Sequence, residues 1–154
     1  YCTVAGIVLD DSLRLPIMHR SAQVRSVKDC WSLPTGNHEL DTPMFDQLRR
    51  ELAEELNVKV LADANPDALQ VGWYDNVAKE GESWWHWVVH VYIARTHDLS
   101  RLTNREPEKH DEIRLVTLDE LFAMIRDGVK FAPNHGEFLL KHEAQIRAMA
   151  GARA

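Results

Sequence analysis

The stretch Arg50-Glu51-Leu52-Ala53-Glu54-Glu55-Leu56 lies in a helical pattern that begins near Pro43. At about 3.6 residues per turn, its three glutamates fall within an arc of about 100° on one side of a helix. The apolar positions of the pattern form a separate stripe, made of Phe45, Leu48, Leu52 and Leu56. The pattern therefore predicts a helix that buries one face and concentrates negative charge beside it.

Like charges at this spacing repel one another, and a hard divalent cation bound among the carboxylates would offset that repulsion. All-oxygen ligation suits magnesium, manganese or calcium. The alternative is a solvated acidic face, because glutamate is a strong helix former and acidic runs are common on protein surfaces. The helix by itself leaves both interpretations open.

A turn-rich loop precedes this helix, with the sequence Trp31-Ser32-Leu33-Pro34-Thr35-Gly36-Asn37-His38-Glu39-Leu40-Asp41-Thr42. Thr42 is predicted to cap the helix, with Pro43 at its first position. Gly36 is followed by five residues, then Thr42, then seven residues, then Arg50 and Glu51. Loop and helix together resemble the signature of the Nudix hydrolases, the MutT-like pyrophosphohydrolases, without insertion or deletion. The lead-in from Trp31 to Pro34 also resembles that family.

Three positions depart from the family pattern. Thr42 replaces a glutamate that the resemblance assigns to supporting the loop, and a hydroxyl cannot pair with Arg50 as a carboxylate would. Asn57 replaces the glycine after the helix, and Asn is the next best residue for a left-handed C-cap. Thr35 stands where many relatives have glycine, and the resemblance implies that its backbone carbonyl binds metal. A side chain there requires ordinary backbone dihedrals.

Length and composition predict one globular domain that spans residues 1–154. Of its 154 residues, 45% are hydrophobic and 27% charged, and the formal net charge is −6. The negative charge argues against nucleic acid or an anionic membrane as the main partner. No apolar run is long enough for a membrane span, and the two cysteines, Cys2 and Cys30, imply no disulfide framework. We therefore expect a cytoplasmic protein, with a homodimer as an allowed state.

Hydrophobic patterning predicts a mixture of helices and strands. The predicted strands are residues 3–9, 15–19, 58–61, 68–74, 84–94 and 113–117. A helix is predicted after Thr117, which forms a capping box with Glu120, and Gly128 ends it. A last helix is predicted from about His135 to Met149, followed by a frayed tail. This order of elements, with the family resemblance, predicts an α/β fold: a Nudix-type α/β/α sandwich with a mixed sheet.

The polar segment 104–112 lies ahead of a predicted strand and contains several carboxylates. The resemblance implies that a glutamate from such a loop completes the metal site or accepts a proton from water. Glu108 is the first choice, followed by Glu106 and Glu112, and a solvated loop is the alternative for each.

Two further residues are candidates for substrate binding. Asn134 lies where the resemblance places a base-reading asparagine, and an amide can both donate to and accept from a purine edge. It is also well placed as a plain helix N-cap. Arg20 could hold a phosphate bidentately or could simply end a hairpin.

The tryptophans and histidines of residues 84–90 have simpler interpretations. Aromatic side chains at 84, 85 and 87 are expected to fill a sheet, with stacking on a nucleobase as the alternative. His86 and His90 lie about 13 Å apart along a strand, so they cannot ligate one metal. No zinc site is predicted.

These residues and the resemblance predict a magnesium-dependent pyrophosphohydrolase, with manganese as a possible substitute. Its expected small-molecule substrate is a nucleoside triphosphate or a related nucleoside diphosphate-linked compound, cleaved at the diphosphate linkage. Glu51, Glu54, Glu55 and the Thr35 carbonyl would hold the metal, and Arg50 would orient the carboxylates. Glu54 or Glu108 would accept the proton from water, and the sequence does not choose between them. The alternative is a non-catalytic nucleotide-binding or regulatory domain with the same fold, for which Thr42 and Thr35 are the best argument.

Overall fold

The computed structural model describes residues 1–151, which form seven strands and four α-helices. The strands are β1 (Cys2–Leu9), β2 (Arg14–Arg20), β3 (Cys30–Ser32), β4 (Thr35–Asn37), β5 (Gln70–Glu80), β6 (Ser83–Arg95) and β7 (His110–Thr117). The helices are α1 (Met44–Leu56), α2 (Leu118–Arg126), α3 (His135–Lys141) and α4 (Glu143–Gly151), with a short 3-10 helix at Pro66–Leu69. Within these described residues, no helix is long and apolar enough to cross a membrane.

The strands form two sheets. The larger has the order β4-β1-β6-β5, in which β1 and β6 are parallel and the other pairs antiparallel. The smaller has the order β3-β2-β7 and is antiparallel. The predicted α/β class with a mixed sheet is confirmed.

Helices cover both faces of the larger sheet. On one face, α1 packs so closely that a Cβ on Gly6 would meet the Leu48 methyl groups at 3.0 Å. On the opposite face, the ring of Tyr74 lies 5.1 Å from the ring of Phe138 in α3. The buried stripe predicted for α1 is the one that faces the sheet, since its four apolar residues are each at most 3% exposed. The predicted sandwich is confirmed.

The N-terminus of α1 differs from the prediction. The helix begins at Met44, and its cap residue is Pro43, without a side-chain hydrogen bond. The backbone of Thr42 belongs to the preceding turn, because its N–H donates to the Glu39 carbonyl and its own carbonyl accepts from the His38 ring. The prediction that Thr42 caps the helix is therefore wrong.

The C-terminus of α1 follows the prediction. Asn57 has the left-handed conformation, with φ 55° and ψ 38°. The N–H of the next residue, Val58, donates to the Leu52 carbonyl at 3.0 Å, which closes the helix end. The Asn57 amide also donates to the Arg101 carbonyl, an interaction that a glycine could not make.

Two predicted strands are misplaced. Residues 58–61 form no strand, although the Leu61 N–H donates to the Arg95 carbonyl. Residues 68–69 belong to the 3-10 helix that Pro66 opens, and β5 begins at Gln70 and continues to Glu80. The apolar spacing located the sheet region but not the turn chemistry that Pro66 imposes. The remaining predicted strands are present with shifted ends.

The C-terminal helices are partly as predicted. The capping box of Thr117 and Glu120 is present, and Gly128 follows the end of α2 with φ 83°. The predicted last helix is broken at His142, which separates α3 from α4. Asn134 stands at the predicted N-cap position of α3, with φ 64°, but its side chain makes no capping hydrogen bond. The predicted fraying is wrong for Ala150, which is buried in α4, and residues 152–154 lie outside the described chain.

His135, at the start of α3, links the helix to the loop before β4. Its side chain is 1% exposed, its Nε2 accepts from the Leu33 N–H, and its Nδ1 is paired with the Tyr74 hydroxyl. Because the Leu33 N–H can only donate, Nε2 must carry no proton, and the imidazole ring is therefore neutral. Burial lowers the pKa of His135 to about 4.

The buried imidazole predicts an acid-sensitive fold. Its pKa is lower in the folded chain than in the unfolded chain, so the unfolded chain takes up the proton first as pH falls below about 6.5. At about pH 5, His135 should thereby lower the free energy of unfolding by about 2 kcal/mol relative to pH 7.5. Urea titrations at both pH values should show a smaller difference in the free energy of unfolding for His135→Gln than for the wild type. An equal difference would contradict this account of His135.

Candidate active site

A cavity of about 840 Å³ lies between the loop before α1, the C-terminal half of that helix, the 104–110 loop and the β5–β6 hairpin. This volume is within the range of sites that hold small organic molecules. Its charged lining residues are Glu39, Glu51, Glu55, Glu106, Glu108, Arg20, Arg25 and Lys109. Its neutral lining residues include Thr3, Ser32, Thr35, Asn76, Tyr74, Trp87, Val89 and His135. One cavity thus contains a strongly acidic part and a neutral, partly aromatic part.

The acidic part is built around Glu55. Burial, followed by the negative charges of Glu106 and Glu51, raises the pKa of Glu55 to about 8. The three carboxyl groups are close enough that Glu55 can share a hydrogen bond with each of the other two when it is protonated. The fold therefore holds acidic groups together against their mutual repulsion.

Gly36 allows Glu51 to join this cluster. A Cβ on Gly36 would lie 2.2 Å from the Glu51 Cγ, a distance that no side chain could occupy. Glu51 is also held by Gln47, whose amide donates to the Glu51 Oε1 at 2.7 Å. The glycine that opens the sequence motif thus makes room for one of its glutamates.

Glu106 is brought to the cluster by backbone contacts of the 104–110 loop. The Arg105 N–H donates to the Glu55 carbonyl at 3.0 Å, which fixes the loop to the end of α1. One Glu106 oxygen accepts from the Lys109 ammonium group at 2.7 Å. The other, Oε2, is buried and has no hydrogen-bond partner. An orphaned carboxylate oxygen beside two further carboxylates fits a hard divalent cation.

The side chains would have to turn to bind such an ion. Among residues 1–151, no three His, Cys, Asp or Glu side chains already surround one point as a metal site. The fold already places the carboxyl groups of Glu51 and Glu106 within hydrogen-bonding reach of Glu55. The donor set is all oxygen, which matches magnesium or manganese better than zinc.

The structure separates Glu54 from this cluster. Its side chain is exposed, and its Oε1 lies 4.0 Å from the Arg50 Nε. Glu54 is not among the residues that line the cavity. In this arrangement, Glu51 and Glu55 face the cavity together and Glu54 stands outside it.

Arg50 has a partner that the sequence analysis did not identify. Its Nη2 donates to Glu39 at 2.7 Å, and this pairing lowers the pKa of Glu39 and raises that of Arg50. Glu39 also lines the cavity. The motif position occupied by Thr42 carries no carboxylate, and Glu39, three residues earlier, supplies one to Arg50. Fixed motif spacing gave no signal for it, because the loop conformation brings it there.

The three candidates of the 104–112 segment have different locations. Glu106 contacts the Glu55 region, whereas Glu108 is exposed at the cavity wall. The Glu108 backbone is fixed by the Ser21 hydroxyl, which donates to its carbonyl at 2.8 Å. Glu112 is paired with Arg114 on β7 and does not line the cavity. The structure thus brings the second choice, Glu106, closest to Glu55.

The remaining candidate site residues also differ in their location relative to the cavity. Thr35 lines the cavity from β4, where it pairs with Ala5 of β1 and does not have a positive φ, so its side chain is accommodated without strain. Arg20 lines the cavity, but its Nε and Nη2 donate to the carbonyls of Val27 and Ser26. Asn134 is exposed, and its amide donates to the Asp75 carbonyl outside the cavity lining.

Chemically, the cavity offers oxygen ligands for a cation at one part and neutral polar and aromatic groups at another. Lys109 supplies a positive charge beside the carboxylates, and its pairing with Glu106 raises its pKa. A ligand that carries both negative charge and a planar group would match the two parts, provided that a cation bridges it to the glutamates.

Comparison with known proteins agrees with the fold. The NUDIX domain family model matches residues 2–139. Among curated proteins, none matches the chain. Solved structures that resemble it include a MutT protein from Methanosarcina mazei, with 16% identity, coverage of 94% of this chain and 93% of that one, and a TM-score of 0.68.

Two further solved structures share this fold. A C. elegans Ap4A hydrolase has 11% identity, coverage of 96% of this chain and 98% of its own, and a TM-score of 0.62. A bifunctional NMN adenylyltransferase/ADP ribose pyrophosphatase from Francisella tularensis, complexed with AMP and a Mn ion, has 16% identity and a TM-score of 0.59. The match covers 98% of this chain and 42% of that protein. At these identities the likeness concerns the fold.

Proposed function

The chain belongs to the NUDIX family, and from this premise we propose that it is a magnesium-dependent pyrophosphohydrolase. It is a hydrolase, and its proposed reaction is cleavage of the diphosphate linkage of a nucleoside triphosphate or a related nucleoside diphosphate-linked compound. The observation that carries the proposal is the cluster of Glu51, Glu55 and Glu106 at one part of the cavity. A bound cation would offset the repulsion among these carboxylates and give a polyphosphate something to bind.

The proposed ligands are Glu51 and Glu55 from α1, Glu106 from the 104–110 loop and the backbone carbonyl of Thr35. Glu54 remains a candidate ligand that would have to turn away from Arg50 to reach the ion. When bound, magnesium would neutralise charge that builds on the phosphate oxygens and would lower the pKa of a bound water. Manganese could substitute, since it takes the same oxygen ligands.

The chain's own residues would position the substrate and move one proton. Lys109 would contact a phosphate oxygen, and Glu39 would hold the side chain of Arg50 in place on α1. For the proton acceptor we place Glu108 ahead of Glu54, because Glu108 lines the cavity and Glu54 does not. Attack of water on phosphorus would then break the phosphoanhydride bond and release two phosphate-bearing products.

The proposed substrate class is a nucleoside triphosphate, cleaved to a monophosphate and pyrophosphate. The Ap4A hydrolase and the ADP ribose pyrophosphatase are named for compounds in which a nucleotide is joined through phosphoanhydride bonds. Dinucleotides and nucleotide sugars therefore belong in the same test as triphosphates. We propose a small-molecule substrate and no nucleic-acid partner, consistent with the net charge of −6.

The alternative function is a non-catalytic nucleotide-binding domain, and Thr42 and Thr35 were the best argument for it. Both arguments are weaker given the geometry, since Glu39 pairs with Arg50 and Thr35 has ordinary strand dihedrals. A panel of nucleotides, assayed with magnesium for release of phosphate or pyrophosphate, separates the two functions. Turnover of no compound, together with a nucleotide-dependent rise in melting temperature, would favour the binding domain.

Glu55→Gln should abolish turnover without unfolding the protein. The variant removes one ligand charge from the cation, a loss of several kcal/mol in transition-state stabilisation and so about 10³-fold in rate. In metal-free buffer its melting temperature should equal or exceed that of the wild type, because a repelled carboxylate is gone. Stabilisation by added magnesium or manganese should be reduced. Glu112→Gln, on a neighbouring element but outside the cavity, is the matched control. Wild-type turnover in Glu55→Gln would remove this residue from the site.

Glu39→Gln should lower kcat/KM, because Arg50 loses the carboxylate that holds it. The double variant Glu39→Gln/Arg50→Gln should then lose no more activity than Arg50→Gln by itself, since the two residues act through one contact. Steady-state kinetics on the four proteins measures this coupling. Independent, multiplicative losses would show that Glu39 does not act through Arg50.

A further inference from the structure

One face of the β5–β6 hairpin carries exposed apolar side chains. Trp73 and Val77 of β5 are 60% and 56% exposed, and Trp84 of β6 is 70% exposed. Residues on the solvent side of an antiparallel sheet are usually polar, so two exposed tryptophans and a valine on one side indicate an interaction surface. This surface, the ribbon face, consists of Trp73, Asp75, Val77, Lys79, Trp84, His86 and Val88.

The ribbon face lies on the opposite side of the sheet from the cavity. Successive residues of a strand alternate between the two sides, and the intervening residues Tyr74 and Asn76 line the cavity. Helix α1 covers the same side as the ribbon face only further along, where the ring of Phe45 lies 5.8 Å from the ring of Tyr92 in β6. The exposure of the two tryptophans shows that nothing among residues 1–151 covers the ribbon face itself.

The edge of β5 is less available to a partner than this face. The Val71 carbonyl accepts from the Gln145 amide at 3.1 Å, and the Asp75 carbonyl accepts from the Asn134 amide at 2.9 Å. Side chains from the helical layer thus already bond the backbone of this strand at two places, which hinders addition of another strand there. A partner is therefore expected to pack on the face.

The sheet register gives the ribbon face a self-complementary pattern. Three cross-strand pairs follow one another along it: Asp75 with Val88, Val77 with His86, and Lys79 with Trp84. Consider a second copy turned by 180° about an axis that crosses the strands at the middle pair. The first pair of each chain then lies over the third pair of the other, so Asp75 faces the partner's Lys79 and Trp84 faces the partner's Val88.

Contacts within the chain keep the charged side chains on this face. The Asp75 Oδ2 lies 3.2 Å from the His86 Nε2, and the Lys79 Nζ lies 5.8 Å from the centroid of the Trp84 ring. Asp75 and Lys79 are nevertheless exposed. A facing copy could therefore reach both charges as well as the apolar surface between them.

We propose that the ribbon face is the contact between two copies of this chain, related by a two-fold axis at the pair of Val77 and His86. The same patch meets itself in such an interface, so every complementary contact occurs twice. The charged and the apolar positions both match under one rotation, and this match selects a second copy over an unrelated protein. The association does not depend on the proposed hydrolysis, since the cavity lies on the other side of the sheet.

The size of the ribbon face determines how strong this association can be. At about 3.4 Å per residue, the stretch from residue 73 to residue 81 is about 27 Å long, and two strands with their side chains are about 15 Å wide. Two such faces would together bury about 1,000 Å², less than the roughly 1,600 Å² of a standard interface. We therefore expect a dimer in exchange with the monomer, with a dissociation constant in the micromolar range.

Sedimentation velocity, run from micromolar to near-millimolar protein concentrations, measures this equilibrium. The variants are Trp84→Ala, Asp75→Lys, Lys79→Glu and an equimolar mixture of the last two. Leu40→Ala is the matched control, because Leu40 is an exposed apolar residue in the loop before α1 and lies outside the ribbon face. Circular dichroism checks that each variant is folded.

Trp84→Ala should raise the dissociation constant of the dimer by at least about 10-fold, because an aromatic contact is lost twice. Each charge reversal puts like charges opposite each other at both symmetric contacts and should also weaken the dimer by at least about 10-fold. The mixture should associate again as a heterodimer, since the Asp75→Lys chain presents two positive charges and the Lys79→Glu chain two negative ones. Leu40→Ala should associate as the wild type does.

Three results would overturn the proposal. The first is a wild-type chain that stays monomeric at the highest concentration, including the case in which the ribbon face binds an unrelated protein instead. The second is a dimer that neither Trp84→Ala nor the charge reversals weaken, since another surface would then join the copies. The third is a pair of charge-reversal variants that dissociate separately and do not associate when mixed, because the two-fold arrangement requires their recombination.

Discussion

Glu51 packs directly against the bare backbone of Gly36, and the acidic part of the cavity depends on that contact. A side chain at position 36 would occupy the place of the Glu51 Cγ, so α1 could not lie as close to β4. With this approach, Glu51 and Glu55 share a space into which the 104–110 loop adds Glu106. Three carboxylates then lie together at a net energetic cost, which is a common property of a site that binds a charged ligand. The stability of the rest of the fold, including the sandwich around the mixed sheet, offsets that cost.

Local sequence patterns were sufficient for the parts of the fold whose causes are local. The apolar stripe of α1, the left-handed Asn57 and the capping box of Thr117 are each set by residues within one or two turns, and each was predicted correctly. Two errors arose where the apolar spacing continues through a local break in the helix or strand. His142 breaks the predicted last helix, although the apolar spacing continues across it. Pro66 replaces the start of a predicted strand with a short helix.

The candidate site likewise contains some residues that local sequence patterns indicate and others that they do not. The helical spacing of Glu51 and Glu55 indicated the carboxylate cluster directly. The carboxylates that loops add to the site depend instead on tertiary contacts between those loops and α1. Sequence favoured Glu108 over Glu106, but the bond from the Arg105 N–H to the Glu55 carbonyl is what brings Glu106 in. Glu39 reaches Arg50 only because of the turn before α1.

The central claim is that these carboxylates form a site for a divalent cation that a polyphosphate shares. The most direct measurement is a crystal structure with manganese and a non-hydrolysable nucleoside triphosphate analogue, in which anomalous scattering locates the metal. The account predicts an anomalous peak within ligand distance of Glu51, Glu55 and Glu106, with phosphate oxygens on its open side. A peak at another place, with these carboxylates turned away from one another, would contradict it.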